Sequence, residues 1–141
     1  MAQLLRVHGS HNTFFLLDQT QLNEQLSDDE LKNLAIHITD HQNGLLGGAD
    51  GLLVVNQSDH EGADGQMRVI NADGSEASMC GNGLRTVARY LSNKLNQKSL
   101  TVETMDADLK VREQPAFAEG VPAFAVEISP VRFNADSLPF K

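Results

Sequence analysis

Several residue types that would point to particular classes of protein are scarce in this chain of 141 residues. Cys80 is the single cysteine, which excludes a disulfide within the chain and is typical of a reducing, cytosolic environment. Basic residues are few, because eleven Lys and Arg stand against nineteen Asp and Glu. The resulting net charge of −8, without a basic cluster, argues against binding to nucleic-acid phosphates or to a membrane surface. The longest apolar runs have four residues, too short for a membrane span.

The remaining composition is that of a globular domain, with 40% hydrophobic and 21% charged residues. A chain of this length corresponds to one domain or to one half of a two-domain protein. The negative charge is uneven, since residues 1–70 carry three basic and ten acidic side chains. We therefore expect neither a nucleic-acid partner nor a membrane partner.

The hydrophobic pattern predicts an α+β fold with two helices among strands. Ser27, followed by Glu30 three residues later, predicts a capped helix that ends near Asp40. Apolar residues at helical spacing predict a second, buried helix over 84–95 with Leu84, Val87, Ala88 and Leu91 in the core. The predicted strands are two within 4–18, joined by a turn at 9–12, and others at 52–55, 67–70, 100–104, 109–112 and 124–128.

The segment from Cys80 to Gly83, with the sequence CGNG, is where chemistry is most expected. A thiol here lies where the second helix begins, and the positive end of a helix favours the thiolate and binds carboxylates. Such a thiolate could remove a proton from the carbon next to a bound carboxylate, whose developing charge the helix amides would stabilise. The alternative from the residues alone is a buried cysteine that serves as a small hydrophobic side chain.

Three segments resemble the diaminopimelate epimerase family. NADGSEA at 71–77 followed by MCGNGLR at 79–85 is similar to the family signature, and GADGLL at 48–53 to its Gly-Ala-Asp-Gly segment. HGSHNTF at 8–14 resembles the family's opening His-Gly-x-Gly-Asn-Asp-Phe turn, although His11 replaces a glycine and Thr13 an aspartate.

The resemblance implies a cofactor-independent epimerase that interconverts LL- and meso-diaminopimelate for lysine and peptidoglycan synthesis. It implies a curved, mostly antiparallel sheet or half-barrel around a central helix, in each of two lobes that face one cleft. One thiolate removes the α-proton and a second thiol delivers a proton to the opposite face. By motif matching, Cys80 is one of these thiols, Gly81 and Asn82 meet the substrate α-carboxylate, and Asn12 and Asn71 hydrogen-bond the substrate.

Inversion by two bases requires two acid–base groups, whereas this chain has one cysteine. Residues 1–141 are therefore predicted to be the N-terminal lobe of a two-lobe enzyme, inactive without the C-terminal lobe that carries the second cysteine. A homodimer is a further expectation. The alternatives are a related amino-acid racemase, or a ligand-binding lobe without catalytic activity, which would not need a thiol at a helix start.

Other candidate sites have simpler explanations in the sequence. The histidine pairs His8/His11 and His37/His41 lack cysteine or carboxylate partners at motif spacing, so no metal site is predicted. The acidic residues at 28–30 are explained by helix capping. The glycine-rich segment at 47–51 lacks the lysine of a phosphate loop. Arg85 and Arg89, four residues apart on the second helix, are expected to be ion-pair partners rather than substrate ligands.

Overall fold

The computed structural model describes residues 4–9, 12–42, 44, 47–77, 81–105, 107–114 and 123–130, with the backbone alone for 8–9, 113–114 and 123–130. Within these described residues, two α-helices and eight strands form in the order β1 (Leu4–Gly9), β2 (Asn12–Asp18), α1 (Asp28–Thr39), β3 (Gly51–Asn56), β4 (Gly65–Asn71), β5 (Glu76–Ala77), α2 (Gly81–Leu95), β6 (Ser99–Glu103), β7 (Asp108–Gln114) and β8 (Ala123–Pro130). A short 3₁₀ turn, Gln19–Gln21, follows β2.

The strands form one mixed sheet in the order β1-β2-β3-β4-β6-β7-β8, with β5 paired to β4. Five of the pairings are antiparallel, whereas β2 with β3 and β4 with β6 are parallel. The predicted α+β class and mostly antiparallel sheet are confirmed. The sequence pattern missed β5, because two residues are too few to show a strand period.

Helix α2 contacts strands at both ends of this order, β1 and β8, as well as strands between them. The sheet must therefore curve around the helix, which agrees with the predicted curved sheet or half-barrel around a central helix. Leu84, Val87, Ala88 and Leu91 of α2 are buried against the inner face of the sheet, as predicted.

Helix α1 covers the outer face of the same sheet, where Leu31 and Ala35 belong to one core cluster with apolar residues of β2, β3 and β4. Because both faces of the central strands are covered, side chains that point in opposite directions are equally buried. This explains the continuous apolar runs at 14–17 and 52–55.

The start of α1 has the predicted capping box. Ser27 Oγ accepts a hydrogen bond from the Glu30 amide, and Glu30 Oε1 accepts one from the Ser27 amide. The hydrogen bonds from the Ser27 backbone and side chain lower the pKa of Glu30. The predicted capping role is thus confirmed for Glu30, while Asp28 and Asp29 lie in the acidic first turn and Asp28 also accepts a hydrogen bond from Arg68 Nη1 at 2.9 Å.

Asp18, at the end of β2, connects the sheet to the last turns of α2. Its side chain is 1% exposed and accepts hydrogen bonds from Tyr90 Oη at 2.6 Å and Lys94 Nζ at 2.7 Å. Burial raises the pKa of Asp18, but the hydrogen bonds from Lys94, Thr20 and Tyr90 outweigh burial, so the net pKa is lowered. Burial and the Asp18 carboxylate together raise the pKa of Tyr90.

A row of hydrogen-bonded side chains crosses the sheet at this same end. Gln19 Nε2 donates to Asn56 Oδ1, Asn56 Nδ2 donates to Gln66 Oε1, and Gln66 Nε2 donates to Glu103 Oε2, over 2.7 to 2.9 Å. Gln19 Oε1 in turn accepts from the Leu26 amide at 2.7 Å. This amide row, Gln19–Asn56–Gln66–Glu103, follows the register of the strands, since Asn56 faces Gln66 and Gln66 faces Glu103.

Candidate active site

The candidate site lies at the opposite end of the sheet from the amide row. Strand β2 begins at Asn12, its parallel neighbour β3 begins at Gly51, and the antiparallel β4 ends at Asn71. Phe14 pairs with Gly51, and Gly51 pairs with Asn71. The topology therefore brings the predicted residues Asn12 and Asn71, which are 59 positions apart in the sequence, to one edge of the sheet.

A direct hydrogen bond joins Asn12 to the start of α2. Asn82 Nδ2 donates to Asn12 Oδ1 at 2.5 Å, across 70 residues of sequence. Arg85 Nη1 donates to the other end of the same amide, Asn82 Oδ1, at 3.0 Å. The sequence favoured an ion pair for Arg85, whereas the structure places its guanidinium on the Asn82 amide. Both asparagines are half-buried, so solvent reaches the place where they meet.

Asp50 holds Asn12 from the other side, and sequence reasoning did not include it among the site residues. Its Oδ2 accepts hydrogen bonds from the Thr13 amide at 2.8 Å and from Asn12 Nδ2 at 3.4 Å. The Asp50 amide donates to the Thr13 carbonyl at 2.8 Å, so the contact is reciprocal. The sequence could have indicated Asp50 as a site residue, because it is the charged residue of the GADG segment that resembles the family's Gly-Ala-Asp-Gly segment.

Asn71 is fixed by the tight turn that follows β4. Its Nδ2 donates to Ser75 Oγ at 3.1 Å, and its backbone N–H donates to the Ser75 carbonyl at 2.7 Å. Gly74 has a φ of +89°, and a Cβ there would lie 2.8 Å from Lys32 Cγ and 2.9 Å from Ile36 Cδ1 on α1. The positive φ and the close approach of α1 favour glycine at this turn, which holds Asn71 at the edge of the sheet where β2 begins with Asn12.

Helix α2 begins at Gly81, directly after Cys80 in the sequence, and its first turn contains no acidic residue. Apart from its chain neighbours and the helix's own backbone, no atom of the described residues lies within 4 Å of a Cβ built on Gly81. Cys80 itself lies outside the described residues, and its catalytic role stays a prediction. The same holds for the substrate-binding roles of Asn12, Asn71, Gly81 and Asn82, of which the structure gives the positions.

Of the two histidine pairs weighed in the sequence, the structure describes the side chains of His37 and His41. His37 is exposed on α1, and His41 Nδ1 lies 3.2 Å from the Gly47 carbonyl oxygen. His8 and His11 have no described side chains. Within the described residues, the group that could hold a metal ion is instead His60, Glu103 and Asp108, at the far end of the sheet.

No helix in the described part of the chain has the length and apolar character needed to cross a bilayer.

A comparison with known families matches residues 5–131 to the model of diaminopimelate epimerase. The chain belongs to the diaminopimelate epimerase family. It is 58% identical over 134 residues to a diaminopimelate epimerase of Enterococcus faecalis, covering 95% of this chain and 41% of that protein. It is 59% identical over 136 residues to that of Ligilactobacillus salivarius, covering 96% and 42%. The chain thus spans about two-fifths of the length of these curated relatives.

Solved structures at lower sequence identity share the fold. A phenazine biosynthesis protein of the PhzF family from Bacillus anthracis superposes with a TM-score of 0.63 at 20% identity, covering 89% of this chain and 38% of that one. A hydroxyproline epimerase from Agrobacterium vitis superposes with a TM-score of 0.58 at 16% identity, covering 82% and 38%. These likenesses support the family fold of a sheet curved around a helix.

Proposed function

We propose that residues 1–141 are the N-terminal lobe of a cofactor-independent epimerase that interconverts LL- and meso-diaminopimelate. The observation that carries this proposal is the position of Cys80, directly before the first residue of α2, in a chain of the diaminopimelate epimerase family. A helix start is where a thiolate is favoured and where a carboxylate binds, and the reaction needs both.

The proposed reaction is a proton exchange at the α-carbon. The Cys80 thiolate takes the α-proton, the C–H electron pair moves toward the carboxylate, and a second thiol on the other face donates a proton to the same carbon. One thiol and one thiolate are present before and after the reaction, with their roles exchanged. No cofactor is needed if the charge that develops on the carboxylate is stabilised by the N–H groups at Gly81 and Asn82.

The asparagines are proposed to orient the substrate. Asn12 and Asn71 lie at one edge of the sheet and would hydrogen-bond the bound amino acid, while Asn82 closes the site at the helix. Asp50 is proposed as a positioning residue, because it binds both the Asn12 side chain and the adjacent Thr13 amide. A side chain held in this way loses little conformational entropy when the substrate binds.

The proposal extends to the remainder of the enzyme and its setting. The second thiol would come from a C-terminal lobe of the full-length protein, the enzyme would act in the cytoplasm for lysine and peptidoglycan synthesis, and two copies would form a homodimer. The single cysteine supports a reducing compartment.

The test is stereochemical. LL-diaminopimelate is incubated in deuterated water with the 141-residue chain, with the full-length protein, and with its Cys80→Ala variant. We expect the full-length protein to form meso-diaminopimelate with deuterium at the α-carbon. The chain alone and the variant should form almost none, because one face lacks its acid–base group. Proline and hydroxyproline serve as control substrates, and preferential turnover of either would favour the racemase alternative.

Turnover by the isolated chain would contradict the two-lobe mechanism. The dependence of this rate on chain concentration would show where the second acid–base group comes from. A site shared between two copies loses activity on dilution, whereas a site within one copy does not. If Cys80→Ala leaves the full-length rate unchanged, the chain is a ligand-binding lobe and the catalytic proposal fails.

A further inference from the structure

Three side chains with metal-binding atoms meet where the loop between β3 and β4 contacts the β6–β7 hairpin. His60 comes from the loop, Glu103 ends β6 and Asp108 begins β7, directly opposite Glu103. His60 Nδ1 lies 3.0 and 2.9 Å from the two Asp108 oxygens, and His60 Nε2 lies 3.8 Å from Glu103 Oε2. One ligand atom from each residue lies within 4.8 Å of the others.

The charges of this cluster, His60–Glu103–Asp108, do not balance. The Glu103 side chain is 14% exposed and that of Asp108 is 5% exposed, so water solvates both carboxylates poorly. Like charges opposite each other on neighbouring strands repel. Among the described residues, the ion pairs of both carboxylates are with His60, which supplies at most one positive charge. The cluster therefore keeps at least one net negative charge.

Neighbouring groups hold the carboxylates in place. Ser58 Oγ donates to Glu103 Oε1 at 2.6 Å, and Gln66 Nε2 donates to Glu103 Oε2 at 2.9 Å. At the hairpin turn, the Thr104 amide donates to the Ala107 carbonyl at 2.8 Å, which fixes Glu103 and Asp108 relative to each other. Carboxylates oriented by such outer hydrogen bonds, with lone pairs still available, are typical of metal ligands.

A metal ion can reach the cluster from solvent on the side of His60, because the His60 side chain is 49% exposed. An imidazole at the surface can turn to admit an ion between itself and the carboxylates. Asp59, the residue before His60 in the loop, adds negative charge next to the imidazole.

We propose that His60, Glu103 and Asp108 bind a divalent transition-metal ion of the zinc type, at a site separate from the one around Asn12 and Asn82. One imidazole nitrogen and two carboxylate oxygens are ligands that Zn²⁺ accepts in tetrahedral coordination, with water in the fourth position. Mg²⁺ and Ca²⁺ prefer six or more oxygen ligands and fit this set less well. The ion replaces the proton shared by His60 and Asp108, neutralises both carboxylates and attaches the loop to the hairpin.

The two candidate sites lie far apart. Glu103 pairs with Gln66 near the start of β4, whereas Asn71 ends that strand five residues later. At the usual rise per strand residue, this is about 17 Å. The metal site is therefore proposed as structural, with no part in proton transfer, and its test is independent of the proposed epimerase activity.

The experiment measures Zn²⁺ binding and thermal stability in the full-length protein after chelator treatment. Thiols are first alkylated with iodoacetamide, because thiolates are strong zinc ligands. Isothermal titration should show a Zn²⁺ site whose occupation raises Tm, with weaker responses to Mg²⁺ and Ca²⁺. His60→Ala should remove this binding, and Ser58→Ala should weaken it about tenfold by releasing Glu103.

His37→Ala is the matched control, since it removes an exposed histidine from α1. It should leave the Zn²⁺ affinity and the rise in Tm unchanged. Asp108→Asn keeps the shape of the site while removing a ligand charge, and should lose binding as His60→Ala does. If the wild-type protein binds no Zn²⁺, or if His60→Ala binds it as tightly, the proposal is overturned and the cluster is an ion pair only.

Discussion

The two helices of this chain begin in opposite ways. The first backbone N–H groups of α1 find partners within the chain, since the side chains of Ser27 and Glu30 each accept a hydrogen bond from the other residue's amide. Acidic residues also occupy its first turn. Helix α2 begins with Gly81, has no acidic residue in its first turn, and uses its Asn82 side chain to reach Asn12 on β2. An acidic first turn neutralises the positive end of a helix, whereas its absence leaves that end available to an external anion. The start of α1 is thus capped within the chain, and the start of α2 agrees with the proposal that a substrate carboxylate binds there.

The largest expected effect contrasts the two helix starts directly. In the full-length enzyme, Cys80→Ala should lower kcat about 10²- to 10⁴-fold, because it removes one of the two proton-transfer groups. Ser27→Ala, at the start of α1, should leave kcat unchanged and cost about 1 kcal/mol of unfolding free energy. Steady-state kinetics and urea unfolding of both variants measure this. A Cys80→Ala enzyme that retains a tenth or more of the wild-type kcat would contradict the proposed role of α2.

The next effect concerns the packing of α2. Leu91→Ala should cost about 2–5 kcal/mol of unfolding free energy, because Leu91 is 3% exposed and fills the space against β4. Ile36→Ala on α1 is the control, since Ile36 is 37% exposed, and should cost far less. Urea unfolding of both variants tests this, and a loss below about 1 kcal/mol for Leu91→Ala would place that side chain outside the core.

A smaller effect tests the link between the sheet and α2. Asp50→Asn should raise KM about tenfold with a smaller change in kcat, because it weakens charge-assisted hydrogen bonds that hold Asn12. Asp29→Asn, in the first turn of α1, removes a charge of the same sign from an exposed position and should change neither constant. Equal losses of kcat and kcat/KM in Asp50→Asn would instead mean that Asp50 acts in the transition state.

The smallest effect is a pH dependence that compares the end of α2 with the start of α1. The pKa of Asp18 is lowered on folding, so its contribution to stability is present above its ordinary pKa and is lost as pH falls through the lowered value. Asp18→Asn should therefore reduce stability at pH 7 and flatten the loss of stability below about pH 4. Glu30→Gln on α1 should alter the profile less, because Glu30 is exposed. Urea unfolding between pH 3 and 7 measures both profiles, and an Asp18→Asn profile parallel to the wild type would contradict this account.

The sequence predicted the features that depend on local periodicity. Both helices, the capping box at Ser27 and the strands at 52–55 and 67–70 follow from spacing alone, and the structure confirms them. Contacts between distant segments were not accessible in this way. The bond between Asn12 and Asn82 depends on how the sheet curves around α2, and the meeting of His60 with Glu103 depends on the parallel pairing of β4 with β6. The residues of the candidate site were predicted from similarity to a family. Periodicity alone predicted only that a helix begins near Cys80.

The amide row also bears on how the sheet finds its register during folding. Strands β4 and β6 share two residue pairs, Gly65 with Val102 and Gln66 with Glu103, a short overlap that backbone bonds alone define weakly. The row has a fixed direction, because it begins at a backbone donor, Leu26 N–H, and ends at the Glu103 carboxylate, which only accepts. A slip by one residue would leave these groups unmatched, at about 1–3 kcal/mol for each one buried without a partner. The row therefore adds side-chain specificity to the short β4–β6 pairing and favours the native register over a register shifted by one residue.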